Sequence, residues 1–395
     1  MNPRLLLLTL CSGLLMVNNV VFIAINGLVG LALAPAGWMA TLPITGYVAG
    51  GALATGLVAR HQRRYGRQRS FQLGLLVAIA SAALCALAVT MKSFWLLVAA
   101  TVFAGYYSAN GSLYRFAAVE LVTPAFKERA ISWVLAGGVI GAVVGPNLAQ
   151  WSRTLLEAPF AGAYLALVGV ALLALVMVSF IHFPPLPGQG GSSPQGRPVA
   201  EIVRQPIFIV AAGACAIGYG VMSLLMSATP IAMQQCSLPF SSAALVLEWH
   251  VLGMFVPSFF TGRLVQRFGA LRVMAVGLVL NIACVAFALS GQDVMHFLGA
   301  LLVLGVGWNF LFIGGSTLAT TAWRPEERTQ AQAALDFCVY LTMTLTSFAS
   351  GALVTTGGWT AMNLGALLPL ALLGAGLAWL ARRQAREAAV PAAAA

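Results

Sequence analysis

The longest stretch without a charged side chain is the feature that most constrains this chain. It runs from Leu5 to Ala59, 55 residues in which no Asp, Glu, Lys, Arg or His occurs. A helix that crosses a bilayer needs about 20 mostly apolar residues. The stretch is therefore long enough for two crossings, and the sequence P-A-G-W at 35–38 supplies the turn between them.

The composition agrees with a chain that lies in lipid. Hydrophobic residues make up 60% of the sequence, charged residues make up 8%, and the mean hydropathy is +0.90. Soluble domains contain roughly 45–50% apolar and about 25% charged residues. The chain is therefore predicted to be an all-α integral membrane protein, with the lipid bilayer as its solvent.

Charged residues and prolines divide the sequence into twelve apolar segments, which predict twelve transmembrane helices. The first two lie between residues 5 and 59. The other ten predicted segments are 71–91, 93–114, 130–152, 160–182, 205–230, 241–264, 272–291, 295–321, 330–355 and 359–381.

Residues 184–204 differ from the rest of the chain because they are rich in Pro, Gly and Ser and contain no apolar run. Such a composition is typical of a flexible linker. We therefore predict an N-terminal six-helix bundle in residues 1–183, a cytoplasmic linker in residues 184–204, and a C-terminal six-helix bundle with a short cytoplasmic tail in residues 205–395.

The N-terminus resembles a secretory signal. Arg4 precedes L-L-L-L-T-L, and A-L-A at 32–34 resembles a cleavage site. The apolar stretch is nevertheless far longer than the roughly 7–15 residues of a signal core. We expect it to be retained as the first transmembrane helix.

The distribution of charge predicts the orientation. With the N-terminus inside, the outer loops hold Lys92, Arg153, Glu157 and Asp293, and the remaining 19 of the 21 Lys and Arg lie at inner loops, inner helix ends or termini. The positive-inside rule describes this asymmetry. Both termini are then cytoplasmic, and 19 Arg against 2 Lys suggest a bacterial inner membrane.

The densest basic cluster, A-R-H-Q-R-R-Y-G-R-Q-R-S at 59–70, falls on the cytoplasmic side in this orientation. Anionic lipid headgroups attract such clusters. The net charge of +11 would also suit nucleic-acid binding. Nucleic acid is not an expected partner, because no soluble basic domain remains to bind it.

Three features recur at nearly one period. R-Y-G-R at 64–67 has a counterpart, R-F-G-A, at 267–270, which lies 203 residues later. E-R-A at 128–130 matches E-R-T at 327–329 at an offset of 199, and the same offset relates Asn110 to Asn309. Two halves with matched inner loops indicate an internal duplication.

With these motifs the chain resembles the major facilitator superfamily over almost its whole length. The loop signature of that family reads roughly G-x-L-x-D-R-x-G-R-R between the second and third helices, with a degenerate copy between the eighth and ninth. The matching residues here are Gly262, Leu264, Arg267, Gly269 and Arg272 in the second copy and Arg64, Gly66, Arg67 and Arg69 in the first. The resemblance implies a transporter whose two six-helix bundles rock around a central cavity by alternating access.

Both copies lack the acidic residue of the signature, since Arg63 and Gln266 occupy its position. In the family that Asp helps to hold the halves together when the transporter faces outward. The resemblance assigns conformational gating to the loop residues, and Glu128 or Glu327 is a candidate partner for their arginines. The predicted gating residues in these loops are Gly66, Arg67, Glu128, Arg267, Gly269 and Arg272.

The fifth predicted helix carries G-x-x-x-G-P at Gly141, Gly145 and Pro146, which resembles the antiporter motif of the family's drug exporters. In that motif G-P-x-x-G-G is the ending, whereas Ala149 and Gln150 replace the final glycines here. Glycines four apart allow close helix packing, and a proline bends a helix that must rock. Ordinary membrane packing is an equally open interpretation.

Few ionisable groups lie inside the apolar segments, and each such group is a functional hypothesis because its burial in a bilayer is costly. Glu248 is the predicted proton carrier, since apolar surroundings disfavour the charged carboxylate. His250 and Asp336 are assigned to the same proton coupling. Contact between Glu248 and the substrate is the alternative. Arg115 is assigned to gating, with an interfacial ion pair to Glu120 as the favoured arrangement.

The resemblance places the central cavity mainly between the first, fourth, seventh and tenth helices. Aromatic faces combined with a few amides suit a flat or amphipathic organic molecule. An aromatic belt at the membrane interface is the alternative for the Tyr and Trp residues. The predicted substrate contacts are Asn18, Asn26, Tyr106, Tyr107, Asn110, Tyr219, Trp308 and Asn309.

Several classes of function lack a sequence signal. No G-x-x-x-x-G-K-[ST] loop for ATP and no HExxH motif occur, and neither the four histidines nor the six cysteines have the spacing of a metal site. We therefore expect no cofactor, no metal and no enzymatic activity.

These features together predict a monomeric secondary active transporter of a small organic solute. Proton-coupled export is favoured because of the antiporter-like motif. Two alternatives stay open at this point: an uptake permease of the same fold for a vitamin-like or aromatic nutrient, and a membrane receptor or assembly protein that transports nothing.

Overall fold

The computed structural model describes residues 2–123, 126, 130, 133–134, 136–184, 196–324 and 327–389. Within these ranges the secondary structure is helical, with no β-strand. The all-α prediction is therefore confirmed. Glu128, predicted to take part in gating, lies outside the described residues.

Six α-helices lie in the described residues of the N-terminal half. Asn2 caps the first by accepting a hydrogen bond from the Arg4 amide at 3.0 Å, and a 3-10 turn at Gly37–Met39 separates the first two. The helices are α1 (Pro3–Leu33), α2 (Leu42–Thr90), α3 (Phe94–Gly111), α4 (Tyr114–Glu120), α5 (Gly138–Ser152) and α6 (Ala161–Ser179).

Eight helices form the C-terminal half. Pro257 lies at the break between the third and fourth of them, where the chain bends by 41°, and Asp293 caps the sixth through the Met295 and His296 amides. The helices are α7 (Val199–Val203), α8 (Pro206–Gln235), α9 (Phe240–Phe255), α10 (Ser258–Phe268), α11 (Ala270–Ser290), α12 (Val294–Ala319), α13 (Arg328–Thr356) and α14 (Gly358–Ala389).

Eight helical segments of the described chain are long and apolar enough to cross a membrane, or nine if the bent pair α9–α10 counts as one span. One of the eight, Gly37–Thr90, contains 54 residues. At 1.5 Å per residue it is roughly 80 Å long, more than twice the hydrocarbon thickness of a bilayer. It is broken at Gly66, whose φ of 79° and ψ of 172° are not helical. The number of twelve crossings stays a prediction.

The two loop motifs have the same geometry in both halves. Gly66 has a φ of 79° and Gly269 a φ of 85°, which is a conformation that favours glycine. The Arg64 guanidinium lies 5.3 Å from the centre of the Tyr65 ring, and Arg267 lies 5.3 Å from that of Phe268. This agreement supports the internal duplication.

Helix packing also recurs at the predicted period. A Cβ atom on Gly105 of α3 would lie 2.6 Å from the Tyr47 oxygen in α2. A Cβ atom on Gly305 of α12 would lie 2.4 Å from the His250 oxygen in α9. Only glycine permits these backbones to approach so closely. Each half is thus held together by an equivalent glycine contact.

The end of the predicted linker is anchored to the C-terminal half. Residues 199–203 form α7, and Arg197 donates from Nε and Nη2 to the two carboxylate oxygens of Glu327, both at 2.8 Å. The Arg324 amide donates to the same carboxylate at 2.9 Å. Glu327 is therefore paired with the linker rather than with a loop arginine of the repeated motif. The prediction of a flexible linker does not hold for residues 196–204.

The ion pair with Arg197 shifts the ionisation of Glu327. The carboxylate is 1% exposed, and its hydrogen bonds from Arg197 and from the Arg324 amide hold its pKa far below the ordinary value of 4.5. The hydrogen bonds favour the charged form because they are made to the carboxylate. The Arg197–Glu327 ion pair therefore stabilises the fold only while Glu327 is ionised.

Gly66→Ala is expected to lower the free energy of unfolding by about 1–2 kcal/mol, because an alanine Cβ is strained at positive φ. No atom lies within 4 Å of that Cβ position, so the cost comes from the backbone alone. Thermal unfolding of the purified protein measures it. Gly262→Ala is the matched control: it has equal space but lies inside helix α10, and it should be neutral or stabilising by up to about 1 kcal/mol. Equal melting temperatures for both variants would contradict the strain.

Glu327→Gln is expected to reduce the dependence of the melting temperature on acid. A carboxyl with a depressed folded-state pKa stabilises the protein above its unfolded pKa, and that stabilisation is lost as the pH falls toward the folded value. The wild type should therefore lose stability between about pH 5 and about pH 3, and the variant should lose less.

Glu387→Gln is the control for this comparison, because Glu387 forms an exposed pair with Arg383 at 2.8 Å. Exposed pairs contribute little to stability. If the melting temperature of Glu327→Gln depended on pH as that of the wild type does, the Arg197–Glu327 ion pair would not stabilise the fold.

Candidate functional site

The two halves meet closely at one end of the molecule, here called the Thr41 end, which comprises residues 34–41, 91–93, 153–160, 236–239, 291–293 and 357. The opposite end, here called the arginine end, carries residues 60–69 and 262–272. Between described residues, the hydrogen bonds and ring contacts that join the halves lie at or toward the Thr41 end. The halves are therefore closed there.

Thr41 makes the most direct of these contacts. Its fully buried hydroxyl donates to the Ser347 carbonyl of α13 at 2.6 Å and accepts from the Gly351 amide at 2.9 Å. Around it, the ring centres of Trp38 and Phe348 lie 6.0 Å apart. One side chain of the N-terminal half thus bonds to two backbone groups of the C-terminal half.

An aromatic cluster lies on the C-terminal side of the interface. The rings of Trp308 and Phe312 stack at 5.3 Å with an angle of 9° between their planes. Tyr219 from α8 stands edge-on to both, at 5.0 Å from each ring centre. The Trp308 Nε1 atom is buried and has no hydrogen-bond partner. The cluster therefore groups three aromatic rings with one unused donor, and Trp308 itself is 4% exposed.

Polar groups of the N-terminal half surround the hydroxyl of Tyr47. Asn18 Nδ2 donates to this hydroxyl at 3.3 Å, and the hydroxyl donates to Asn19 Oδ1. These hydrogen bonds join α1 and α2 within the N-terminal half.

Arg115 in α4 and Asp336 in α13 carry opposite charges on opposite halves, and the charge of Arg115 acts on Asp336. The Arg115 Nε atom is buried and has no hydrogen-bond partner. Glu120, the predicted partner of Arg115, pairs with Arg67 instead, at 2.7 Å. Arg115 therefore remains available to a ligand or to Asp336.

This arrangement suits a planar, amphipathic organic molecule. The aromatic rings provide stacking surface, and the unused Trp308 and Arg115 donors provide hydrogen bonds to carbonyl oxygens. Asp336 supplies an acceptor on the opposite half. A ligand held between the halves would contact both, which is the geometry that alternating access requires.

Asn110 and Asn309, both predicted substrate contacts, are buried and bonded within their own halves. Asn110 Nδ2 donates to the Ser70 carbonyl at 2.7 Å. Asn309 Nδ2 donates to the Met254 carbonyl at 2.7 Å, and its Oδ1 accepts from Thr261 at 2.6 Å. These equivalent positions join neighbouring helices in each half.

Three further predicted contacts also lie within the N-terminal half. Asn26 is fully buried and accepts from the Tyr164 hydroxyl. The Tyr106 hydroxyl contacts His61 Nδ1 at 2.8 Å. Tyr107 is 2% exposed and packs in the core of that half. Of the remaining predicted contacts, Tyr219 and Trp308 share the aromatic cluster, and Asn18 bonds to Tyr47 within the N-terminal half.

Glu248 lies at a different part of the interface. Asn147 Nδ2 in α5 donates to its Oε2 atom at 3.0 Å. His250 points away from it, because its Nδ1 atom lies 2.6 Å from the Leu301 carbonyl of α12. The described structure thus separates Glu248 both from His250 and from the Arg115–Asp336 pair, and their predicted joint role in proton coupling stays a prediction.

The predicted gating residues of the fifth helix pack against α1. Cβ atoms on Gly141 and Gly145 would lie 2.2 Å from Met16 Cβ and 2.9 Å from Val20 Cβ, respectively. Pro146 follows inside α5. In the loops, Arg267 and Arg272 are exposed. The glycine motif therefore serves close packing within one half, which is the alternative that the sequence left open.

The family model of the Major Facilitator Superfamily matches residues 5–247 and 216–395. The chain belongs to the major facilitator superfamily. The predicted family and the all-helical fold are thereby confirmed, and the chain is a multi-pass membrane transporter by fold and family.

Several transporters of this superfamily are similar to the chain. The riboflavin transporter RfnT of Brucella anthropi is 40% identical over 364 residues, which cover 91% of each chain. The uncharacterized MFS-type transporter YddS of Bacillus subtilis is 26% identical, with 85% of this chain and 81% of that protein covered. A solved bacterial homologue of the human lysosomal transporter Spinster, in an inward-facing and occupied conformation, superimposes with a TM-score of 0.72 at 17% identity over 96% of both chains.

Four residues that lie beside the predicted site residues were not themselves predicted from the sequence. Tyr340 lies four positions after Asp336, and Phe312 lies four positions after Trp308, so helical spacing would have found both. Tyr47 is equivalent to His250 at the offset of 203 that relates the loop motifs. Asn19 has no such signal, because it differs from Asn18 only in the face of α1 on which it lies.

Thr41→Val is expected to weaken closure at the Thr41 end, because valine keeps the shape and loses both hydrogen bonds. A net value of about 0.5–1.5 kcal/mol for each of the two bonds predicts a shift of about 5- to 150-fold toward states open at that end. Spin labels at Lys92 and Asp293, on opposite halves, would report a larger population of long distances.

Thr356→Val is the control for this measurement, since the Thr356 hydroxyl bonds only within its own helix, to the Ala352 carbonyl at 2.7 Å. It should leave the distance distribution unchanged. If Thr41→Val also left it unchanged, the hydroxyl of Thr41 would not hold the halves closed.

Proposed function

We propose that this chain takes up a flat, vitamin-like heteroaromatic solute, with riboflavin as the first compound to test. The 40% identity over 91% of both chains to a riboflavin transporter carries this proposal. It favours the uptake alternative over the export that the antiporter-like motif predicted. In this structure that motif packs α5 against α1, a contact that is independent of direction.

The chemistry of the interface supports such a substrate. The ring system of riboflavin is planar and aromatic, and one edge carries carbonyl oxygens and an imide N–H. Tyr219, Trp308 and Phe312 offer aromatic surface, and Trp308 Nε1 and Arg115 Nε are donors without partners. Stacking and a few oriented hydrogen bonds are the means by which proteins recognise flat cofactor-like molecules.

The contacts at the Thr41 end support transport by alternating access. We place the arginine end in the cytoplasm, because basic residues are retained on that side. The conformation closed at the Thr41 end is then the one that releases solute inward. Rocking of the halves, with both the Thr41 contacts and the Arg115–Asp336 pair changing, would expose the same site outward. A monomer and proton coupling through Glu248 or Asp336 remain predictions.

Bacterial cells that require external riboflavin would test the direction and the substrate together. Cells that express the chain should accumulate riboflavin, and accumulation should fall when the ion gradient is collapsed. Efflux from preloaded cells without accumulation would restore the export prediction. Riboflavin binding by the purified protein, without either movement, would support the receptor alternative.

Trp308→Leu is expected to reduce riboflavin uptake by at least about 5-fold, because aromatic stacking on a ring system contributes about 1–3 kcal/mol. Trp379→Leu is the matched control, since Trp379 is 49% exposed on α14, and its uptake should equal that of the wild type. Tyr219→Phe keeps the ring and should retain most of the uptake. Quenching of flavin fluorescence by the purified variants separates a binding loss from misfolding. Unchanged binding in Trp308→Leu would remove the aromatic cluster from the site.

A further inference from the structure

An open cavity lined by polar side chains together with Ala244 and Leu245 lies between the two halves, apart from the aromatic cluster and from Arg115 and Asp336. Its volume is about 320 Å³, and it is lined by α5 and α9. The oxygen-bearing side chains on its wall are Asn147, Gln150, Ser241, Ser242 and Glu248. No nitrogen base and no thiol lines it, so its chemistry is that of oxygen ligands with one carboxylate.

Two of these side chains have unused acceptor capacity. Gln150 Oε1 is buried and has no hydrogen-bond partner. Glu248 receives one hydrogen bond, from Asn147 at 3.0 Å to Oε2. A buried acceptor without a donor is costly, which indicates that a ligand normally occupies the space in front of it. Both groups are acceptors, so a cation or a hydrogen-bond donor is the kind of ligand that would satisfy them.

The donor set fits a monovalent cation better than the other positively charged ligands. Hard cations take carbonyl, hydroxyl and carboxylate oxygens, whereas imidazole and thiolate select transition metals. Calcium sites in proteins gain affinity from several carboxylates, and this cavity has one. Carrying a single proton requires only the Glu248 carboxyl and leaves the surrounding oxygens unexplained. The volume leaves room for the cation and several of its waters.

We propose that this cavity is a sodium site in which Glu248 balances the charge and Gln150, Asn147, Ser241 and Ser242 supply neutral oxygen ligands. The site joins the halves, since Asn147 and Gln150 belong to α5 and the other three residues belong to α9. Arg153, whose guanidinium lies 5.5 Å from the centre of the Phe240 ring, does not line the cavity.

The position of the site gives the bound ion a conformational effect. The ring centres of Phe160 and Phe240, from opposite halves, lie 5.3 Å apart near the Thr41 end. A cation that ligates both α5 and α9 stabilises the state in which those helices are close. Sodium therefore favours closure at the Thr41 end, and its release favours opening there, which links the ion to the transport cycle by differential affinity.

Sodium binding to the purified full-length protein tests the proposal without any transport substrate. Sodium chloride, compared with choline chloride at equal ionic strength, is expected to raise the melting temperature by about 3 °C at 100-fold excess over Kd. Radioactive sodium should bind with a stoichiometry near one per chain. Glu248→Gln should lose both effects, and Glu387→Gln, which removes an exposed carboxylate from α14, should retain both.

The double variant Ser241→Ala with Ser242→Ala keeps the carboxylate and addresses the possibility that Glu248→Gln fails to fold. It should bind sodium at least 10-fold more weakly than the wild type. A wild type that binds no sodium overturns the proposal, as does a Glu248→Gln variant that binds it normally. A melting temperature that responds to pH through Glu248 but not to sodium overturns it in favour of proton coupling. Sodium binding without riboflavin uptake would refute the proposed substrate and leave this site intact.

Discussion

The rest of the structure depends on the requirement that backbone polar groups in lipid find their partners within the protein. Helices meet this requirement internally, so they can pack through glycines, as Gly105 and Gly305 do, without losing a hydrogen bond. Polar side chains are then free for other tasks. Asn110 and Asn309 use theirs to join helices within a half, whereas Arg115 and Trp308 keep donors that the described chain does not use.

The duplication explains why two rigid halves result. Equivalent glycines bring α2 to α3 and α9 to α12, and equivalent loops place an arginine over an aromatic ring beside a glycine of positive φ. The interface between the halves is not duplicated in this way. Thr41 bonds to the backbone of α13, and the Glu248 cavity lies between α5 and α9. Both proposed sites therefore lie where the symmetry of the repeat is broken, and a site shared by both halves can respond to their relative movement.

Charged residues in the sequence indicated candidate functional positions, but they did not indicate which ion pairs form. Glu248 and Asp336 stood out because apolar surroundings make any carboxylate costly, and the structure places each at the interface. The expected partners differ: Glu120 pairs with Arg67, Glu327 with Arg197, and His250 faces α12. A long arginine side chain reaches several turns or a neighbouring loop, so nearness in sequence does not decide which carboxylate it meets.

Composition, the charge-free segments and the repeated loops determined, without any coordinates, that this is a helical membrane protein of two related halves. Those properties follow from the solvent, because lipid penalises charge and unpaired backbone wherever they occur. Only the tertiary structure decided which faces of the helices meet. Asn18 bonds to Tyr47 of α2, while Asn26, eight residues later on the same helix, bonds to Tyr164 of α6. In an all-apolar helix the hydrophobic pattern does not distinguish one face from another, so packing against neighbouring helices makes that choice.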